Sequence, residues 1–319
     1  MAYDLVLILN LVFFIFGVFI LVKSVEKLVK GVAGIAIIFG VSALVLSILF
    51  AGIDPENTVT GGFASAGDLG AVALGTTVGA TIFLLCVALG IAALIYPMKV
   101  KTPLNLISLM LLSPIPMVIF MYNGVISRVE GAFLALLYIP ILCYIFQAAR
   151  QNRFMAGSGH AAQAKKEMES KSRAYFVITG IFGLVGISLG GWMVVEGSKG
   201  IINSFGISQT VFGMVFVAAA TALEEIFIET IPAHKGHPEI SVGNIIGTVV
   251  YFFTANIGII AFIRPVEVYV QVMQFHVPFM IGVLVLTAAL IARKRIGRME
   301  GILLICIYLG YLALNWFFG

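Results

Sequence analysis

The chain has 319 residues, of which 61% are hydrophobic and only 11% are charged. Apolar runs fill nearly its whole length, which excludes a sizeable soluble domain and indicates an integral membrane protein in a lipid bilayer. The net charge of +4 is small and follows from the arrangement of loops across the membrane, so it gives no evidence for nucleic-acid binding.

Apolar spans of about 20 residues can be placed along the whole chain. They predict an all-α membrane protein with ten transmembrane helices, at 4–22, 31–52, 69–96, 103–122, 129–148, 174–195, 206–231, 240–263, 267–291 and 300–318. Five spans fall in each half. We therefore predict two five-helix units, residues 1–148 and 174–319, joined by a polar linker at 149–173.

Basic residues are distributed unequally between the alternate connections of these spans. One side carries 16 of the 19 Lys and Arg residues, and the other carries Arg128, Lys199 and Arg264. The positive-inside rule then places the linker in the cytoplasm and both termini outside. We expect a monomer, and the oligomeric state is otherwise left open.

A long segment of the chain occurs twice. Residues 75–97 return as residues 243–265 with a constant offset of 168, and seven of the 23 positions are identical. A carboxylate precedes each copy, Glu56 by 19 residues and Glu225 by 18. Because each unit has an odd number of spans, the second enters the membrane from the opposite face, and this inverted repeat is typical of secondary transporters.

Five acids lie within the predicted apolar spans or a few residues beyond their ends, where a charged group is costly and is tolerated mainly beside protein, water or a counter-ion. They are Asp54, Glu56, Glu224, Glu225 and Glu229. No Lys or Arg lies between Lys30 and Lys99 or between Lys199 and Lys235. The acids are therefore either protonated or paired with a mobile cation.

The spacing of these acids is suited to a cation. Glu225 and Glu229 are four residues apart and share a helical face, as do Glu56 and Thr60, whereas Glu224 is turned away from Glu225 by about 100°. Ca²⁺ accepts carboxylate, hydroxyl and carbonyl oxygens. A helix break would supply carbonyls; we predict one at Asp54-Pro55 and one, without proline, at 220–222.

These features resemble the cation/Ca²⁺ exchanger superfamily, in which each repeat carries a G-T-S-x-P-E-like break followed by G-N-x-x-G-S-N-x-F-N. The second half matches best, in FGISQTVFGMVFVAAATALEE and in residues 243–248. The resemblance covers nearly the whole chain. It implies that Glu56 and Glu225 are the central cation ligands, that Thr221 lies in the break region, and that Thr248 is a hydroxyl ligand.

The departures from the family pattern bear on the coupling ion. Ala80 stands where the family has a hydroxyl, and Leu84 and Phe252 stand where it has Asn or Asp. The missing oxygens argue against a full set of Na⁺ sites. Clustered glutamates can bind either one divalent ion or protons. We therefore expect a Ca²⁺ antiporter that works by alternating access, with H⁺ slightly favoured over Na⁺ as the coupling ion.

Three other interpretations remain at this stage. Glu56 and Glu225 could be protonated structural acids, and Glu224, Glu229 and Asp54 are each about as easily structural as ligating. The same acids could form the selectivity ring of a channel or uniporter. A membrane-embedded enzyme has little support, since no HExxH or GxSxG sequence is present.

A further cluster, HKGHPE, contains His234, His237 and Glu239. Two histidines and a carboxylate can bind zinc, but this spacing matches no strong zinc motif and the segment lies in a predicted cytoplasmic connection. We interpret it as a polar loop, with pH sensing at the cytoplasmic end as an open hypothesis.

Overall fold

The computed structural model describes residues 2–38, 52–152 and 172–318. Its helices are α1 (Ala2–Ile38), α2 (Pro55–Ala66), α3 (Gly70–Ile95), α4 (Leu104–Met121), α5 (Arg128–Asn152), α6 (Arg173–Phe205), α7 (Gln209–Thr221), α8 (Glu225–His234), α9 (Pro238–Ile263), α10 (Val272–Ala292) and α11 (Arg298–Phe318). Two strands of two residues, β1 (Val125–Ile126) and β2 (Val266–Glu267), are a small departure from the expected all-helical class.

The described residues contain eight helices that are long and apolar enough to cross a membrane. The pair α7 and α8, bent by 41°, adds a ninth. The mostly helical, multi-span architecture is therefore as expected. Residues 39–51, which belong to the second predicted span, and 153–171, which belong to the predicted linker, lie outside the described residues.

The first predicted connection is wrong. α1 runs unbroken through residues 23–30, so Lys23, Lys27 and Lys30 lie on a helix. No proline or glycine interrupts this stretch, and three lysines do not end a helix. At 1.5 Å per residue α1 is about 55 Å long. It is longer than the hydrocarbon core of about 30 Å, so its lysines can reach water through tilt or projection.

α1 packs against α6 along nearly its whole length through glycines. A Cβ on Gly31 would lie 2.3 Å from Gly180 Cα, and one on Gly17 would lie 3.0 Å from Gly190 O. The contacts run in opposite directions along the two helices, which are therefore antiparallel. Small residues allow two membrane helices to bring their backbones together.

α3 and α9 form the centre of the molecule. Buried residues make up 78% and 89% of their most apolar windows, against 11% for α1. Both helices contain wide π-helical turns, and Leu84–Ala88 of α3 corresponds to Phe252–Asn256 of α9 with the offset of 168. Such turns often mark functional sites. The repeated sequence thus has a repeated local geometry.

Two short backbone pairings join the halves of the chain. Ile126 pairs with Val266 between β1 and β2, and Met98 pairs with Ile296 through two hydrogen bonds of 2.8 and 2.9 Å. Met98 follows α3, whereas Val266 follows α9. The pairings therefore lie at opposite ends of the central helices and hold the two halves together at both.

Candidate cation site

The first half of the candidate site is the start of α2. Asp54 caps this helix, with its Oδ1 accepting a hydrogen bond from the backbone N of Asn57 at 2.9 Å, and Pro55 occupies the first helical position. This arrangement is favoured at helix N-termini because proline lacks the N–H that would be left unpaired. It orients Glu56 into the protein interior, where its side chain is fully buried.

The second half is the break between α7 and α8. The helix ends at Thr221 and resumes at Glu225, so the break lies at 222–224, two residues beyond the predicted position. It forms without proline. Glu225 and Glu229 follow on one buried face of α8, as their spacing predicts, whereas Glu224 lies within the break and is half-buried.

Asn57 connects the start of α2 with the break between α7 and α8, a role that the sequence analysis missed. Its side-chain Nδ2 donates to Asp54 Oδ2 at 2.5 Å and to the carbonyl O of Thr221 at 3.5 Å. Its Oδ1 accepts a hydrogen bond of 2.8 Å from the hydroxyl of Thr221. The sequence did contain one indication of this role, because Asn57 is a second polar residue directly after the acid Glu56 in an apolar stretch.

Asn244 of α9, the Asn of the G-N-x-x-G pattern, holds the two acids of α8. Its Nδ2 donates to Glu225 Oε2 and to Glu229 Oε1, both at 2.9 Å. Its Oδ1 accepts a hydrogen bond of 3.1 Å from the backbone N of Gly52. One amide therefore fixes both carboxylates and ties them to the segment that precedes α2.

Gly52 makes a close backbone approach between the two halves, beside the candidate site. Its φ is +84°, a left-handed conformation that favours glycine. A Cβ at this position would lie 2.2 Å from the carbonyl carbon of Gly247 and 2.3 Å from Thr248 N. The segment that precedes α2 therefore packs directly on the backbone of α9, beside the predicted ligand Thr248.

The predicted ligands share an unusual property: many of their buried oxygens have no hydrogen-bond partner. In the described part of the chain, ten buried side-chain N or O atoms lack a partner, and five of them belong to predicted site residues. These five atoms are both carboxylate oxygens of Glu56, Oγ1 of Thr60, Oγ1 of Thr248 and Oε2 of Glu229. Since an unsatisfied buried polar atom is costly, these oxygens are available for a cation or a proton.

The charge of the site is not balanced by basic residues. Asp54 and Glu224 lie within electrostatic range of both Glu56 and Glu225. Across residues 2–38, 52–152 and 172–318, no Lys, Arg or His forms an ion pair with any of these acids. Burial and mutual repulsion therefore favour either the protonated carboxyls or a bound cation.

The carboxylates alone do not complete a metal site. Within the described ranges, no three Asp, Glu, His or Cys side chains are grouped to hold one ion. Hydroxyl, amide and break carbonyl oxygens would therefore have to contribute. Ca²⁺ accepts such a mixed set of oxygens.

A second polar cluster lies between α2, α3 and α9 and was not predicted. Thr58 Oγ1 is 2.6 Å from Tyr251 Oη and donates to Asn256 Oδ1 at 2.8 Å. Asn256 Nδ2 in turn donates to Thr77 Oγ1 at 2.9 Å. Its members satisfy one another, so this cluster fixes the position of α2 and offers no free ligand set.

The three departures from the family pattern are all buried in apolar packing. Ala80, Leu84 and Phe252 are each fully buried and belong to the hydrophobic core. They bring no oxygen into the molecule's centre. The difference between the two repeats, Ala80 in one and Thr248 in the other, is therefore a real asymmetry of the site.

The histidine cluster lies apart from these acids. His237 Nδ1 is 3.2 Å from Glu239 Oε1 and both side chains are exposed, while the ring of His234 packs on Tyr96 at 4.5 Å between centroids. The geometry is that of a polar connection between α8 and α9. Its role in pH sensing stays a hypothesis.

Replacing Asn244 by Leu is expected to lower the apparent Ca²⁺ affinity at least about tenfold, because two carboxylates lose their shared donor. Ca²⁺-dependent stabilisation of the purified protein, followed by thermal unfolding, would measure the affinity. Ser241→Ala is the matched control, since the Ser241 hydroxyl bonds only the backbone O of Glu229 at 2.6 Å. An unchanged affinity in Asn244→Leu would contradict the role of the amide.

Comparison with known proteins gives consistent matches over both halves. The model of the family described as "Sodium/calcium exchanger protein" matches residues 9–147 and 175–317. The chain is 27% identical to the "Inner membrane protein YrbG" of Escherichia coli (strain K12), with 94% of each chain covered. It is 24% identical to the "Sodium/calcium exchanger MaX1" of Methanosarcina acetivorans, covering 95% of this chain and 97% of the relative.

Among solved structures, the fold is similar to that of the sodium-calcium exchanger NCX_Mj. The TM-score is 0.64 at 23% identity, with 96% of this chain and 98% of that chain covered. That crystal was soaked with Na⁺ and Sr²⁺. At this level of identity the likeness concerns the fold.

Proposed function

Because the chain belongs to the sodium/calcium exchanger protein family, we propose that it exports Ca²⁺ in exchange for a monovalent cation by alternating access. The membership confirms the resemblance predicted from the sequence. The chain is thus an exchanger-family transporter. Its ion ligands, its coupling ion and its inverted ten-helix topology are the proposals.

The observation that carries the proposal is the set of five buried oxygens without partners on Glu56, Thr60, Thr248 and Glu229. They lie on α2, α8 and α9, which come together where α2 begins and where the chain breaks between α7 and α8. Glu225 and Thr221 complete the set, with Asp54 and Glu224 close enough to act electrostatically. We assign all eight residues to the cation site, Glu56 and Glu225 as its central ligands.

The same site favours exchange over leak. Two or more bare carboxylates in a desolvated site repel each other, so the empty and fully charged state is costly. The site therefore changes sides mainly when it holds Ca²⁺ or its replacements. α1 and α6, which pack on each other through glycines and lie at the periphery, are the elements that we propose move against the core of α2, α3 and α7–α9.

The residues favour protons as the coupling ion. Ala80, Leu84 and Phe252 remove oxygens that several Na⁺ sites would need, whereas protons need only the carboxyls themselves. The names of the relative MaX1 and of NCX_Mj favour Na⁺ instead. The two alternatives give opposite results in one transport assay.

In that assay, proteoliposomes are given either an outward Na⁺ gradient at equal pH or an outward proton gradient without Na⁺, and Ca²⁺ uptake is followed. We expect uptake with the proton gradient and little with Na⁺. Uptake with Na⁺ alone would establish Na⁺ coupling. Uptake without either gradient would indicate a channel, and no uptake under any condition would refute Ca²⁺ transport. Glu225→Gln protein is the control for specific transport.

A further inference from the structure

The connections at one end of the central helices carry a dense group of basic residues. The segments 98–101 and 293–300 are brought together by the pairing of Met98 with Ile296 and by a hydrogen bond of 3.2 Å from Val100 N to Lys294 O. We call their exposed basic side chains the basic ledge: Lys99, Lys101, Arg293, Lys294, Arg295 and Arg298.

The charge of the basic ledge is only partly offset by the protein. Within the described part of the chain, none of its six side chains forms an ion pair at contact distance. The one acid of these segments, Glu300, lies within electrostatic range of Arg293 and Arg295, and its Oε2 accepts a hydrogen bond of 2.9 Å from Gly297 N at the start of α11. One acid faces six basic side chains. The ledge therefore presents a net positive surface to an external anion.

The position of the ledge is at the membrane surface. α3 ends before it, α4 begins after it, α10 ends at Ala292, and α11 begins at Arg298. The ends of four apolar spans thus lie at the depth of the ledge, on whichever side of the membrane the ledge faces. A headgroup phosphate of the adjoining leaflet lies at the same depth.

Exposed apolar side chains flank the ledge at the ends of the adjoining spans. They are Ile95, Leu104, Met299 and Ile302. Cations beside exposed apolar side chains complement an amphiphile with an anionic head. A soluble anion would use the cations alone.

Lys294 is held in place by its backbone. Its φ is +62°, its N donates to Ile291 O at 2.9 Å and its O accepts from Val100 N. A lysine rarely adopts this left-handed conformation, which costs backbone energy relative to glycine. The fold thus keeps a cation at a position where glycine would be more stable.

We propose that the basic ledge binds the phosphodiester headgroup of an anionic phospholipid, and that this lipid bridges the two halves of the chain. The lipid would contact Lys99 and Lys101 from the first half and Lys294 and Arg295 from the second. It would reinforce the pairing of Met98 with Ile296. This inference is independent of the transported ions.

Native mass spectrometry of the full-length protein in detergent would test the proposal, with phosphatidylglycerol and phosphatidylcholine as probes. The test variant is Lys294→Gly combined with Arg295→Gln. Each basic side chain contributes about fivefold to anionic lipid binding, so we expect phosphatidylglycerol binding to weaken about 30-fold and phosphatidylcholine binding to be unchanged. Because Lys294→Gly relieves the left-handed backbone, its thermal unfolding midpoint should not fall.

The matched control is Arg128→Gln combined with Lys199→Gln, which removes the same charge at the other end of the spans. Arg128 contacts Ile263 O at the end of α9, and Lys199 lies beside Gly67 at the end of α2. If phosphatidylglycerol binding weakened equally in this control, the loss would be an effect of net charge alone, and the proposal would be overturned. Equal affinity for the two lipids, or displacement of the lipid by inorganic phosphate at matched concentration, would also overturn it.

Discussion

Glu56→Gln is expected to reduce Ca²⁺ transport at least about 100-fold while leaving the protein folded. The glutamine keeps the shape of the side chain but removes its negative charge and puts an amide donor where a cation must bind. Because both carboxylate oxygens of Glu56 are buried without partners, the neutral amide should not lower the thermal unfolding midpoint.

Transport in proteoliposomes and unfolding in detergent would be measured on the same preparation. Glu196→Gln is the control, since Glu196 is a partly exposed acid that pairs with Lys199 at 2.6 Å, away from the site. Wild-type turnover in Glu56→Gln would show that this acid is structural. Loss of transport together with loss of folding would assign Glu56 to stability instead.

Gly52→Ala is expected to destabilise the protein by about 3 kcal/mol or more, because it combines a strained backbone with a direct clash. The φ of +84° disfavours any Cβ, and that Cβ would lie 2.2 Å from the carbonyl carbon of Gly247. The clash partner is backbone, so no side-chain rotation relieves it. The hydrogen bond from Gly52 N to Asn244 would be displaced, and Ca²⁺ affinity should fall with stability.

Gly236→Ala separates the cost of the strained backbone from the cost of the clash. Gly236 has a similar φ of +80°, but nothing lies within 4 Å of its Cβ position. We expect it to cost only about 1 kcal/mol and to leave Ca²⁺ affinity unchanged. The thermal midpoints and Ca²⁺ affinities of both variants would be compared. Equal losses in the two proteins would contradict the close packing of the two halves at Gly52.

The helical membrane fold was predictable because spans of apolar residues allow few alternatives in a bilayer. The boundaries of α3, α4 and α11 agree with the predictions to within about two residues. The connection at Lys23 to Lys30 was predicted wrongly, because lysines favour the helical state and do not end a helix by themselves. The two-residue strands carry no pattern that a sequence could reveal.

The acids of the candidate site were found because a carboxylate is conspicuous in an apolar span. The amides were missed: Asn57 and Asn244 carry no charge, and their importance depends on which helix they face. Asn57 bonds to Thr221, 164 positions away, and Asn244 bonds to Gly52, 192 positions away. Such long-range pairs follow from packing, which local patterns do not encode. Whether these residues bind Ca²⁺ stays a prediction.

The two backbone pairings give the halves of this chain a relation that is usual between subunits. Met98 pairs with Ile296, and Val266 pairs with Ile126. Val266 lies 168 residues after Met98, and Ile126 lies 170 residues before Ile296, so the two pairings use equivalent segments of the two halves in exchanged roles. The same reciprocal contact is found in an isologous dimer. In a true dimer every substitution would appear twice. In one continuous chain it appears once, which is how the centre of the molecule can keep a hydroxyl at Thr248 and lose its counterpart at Ala80.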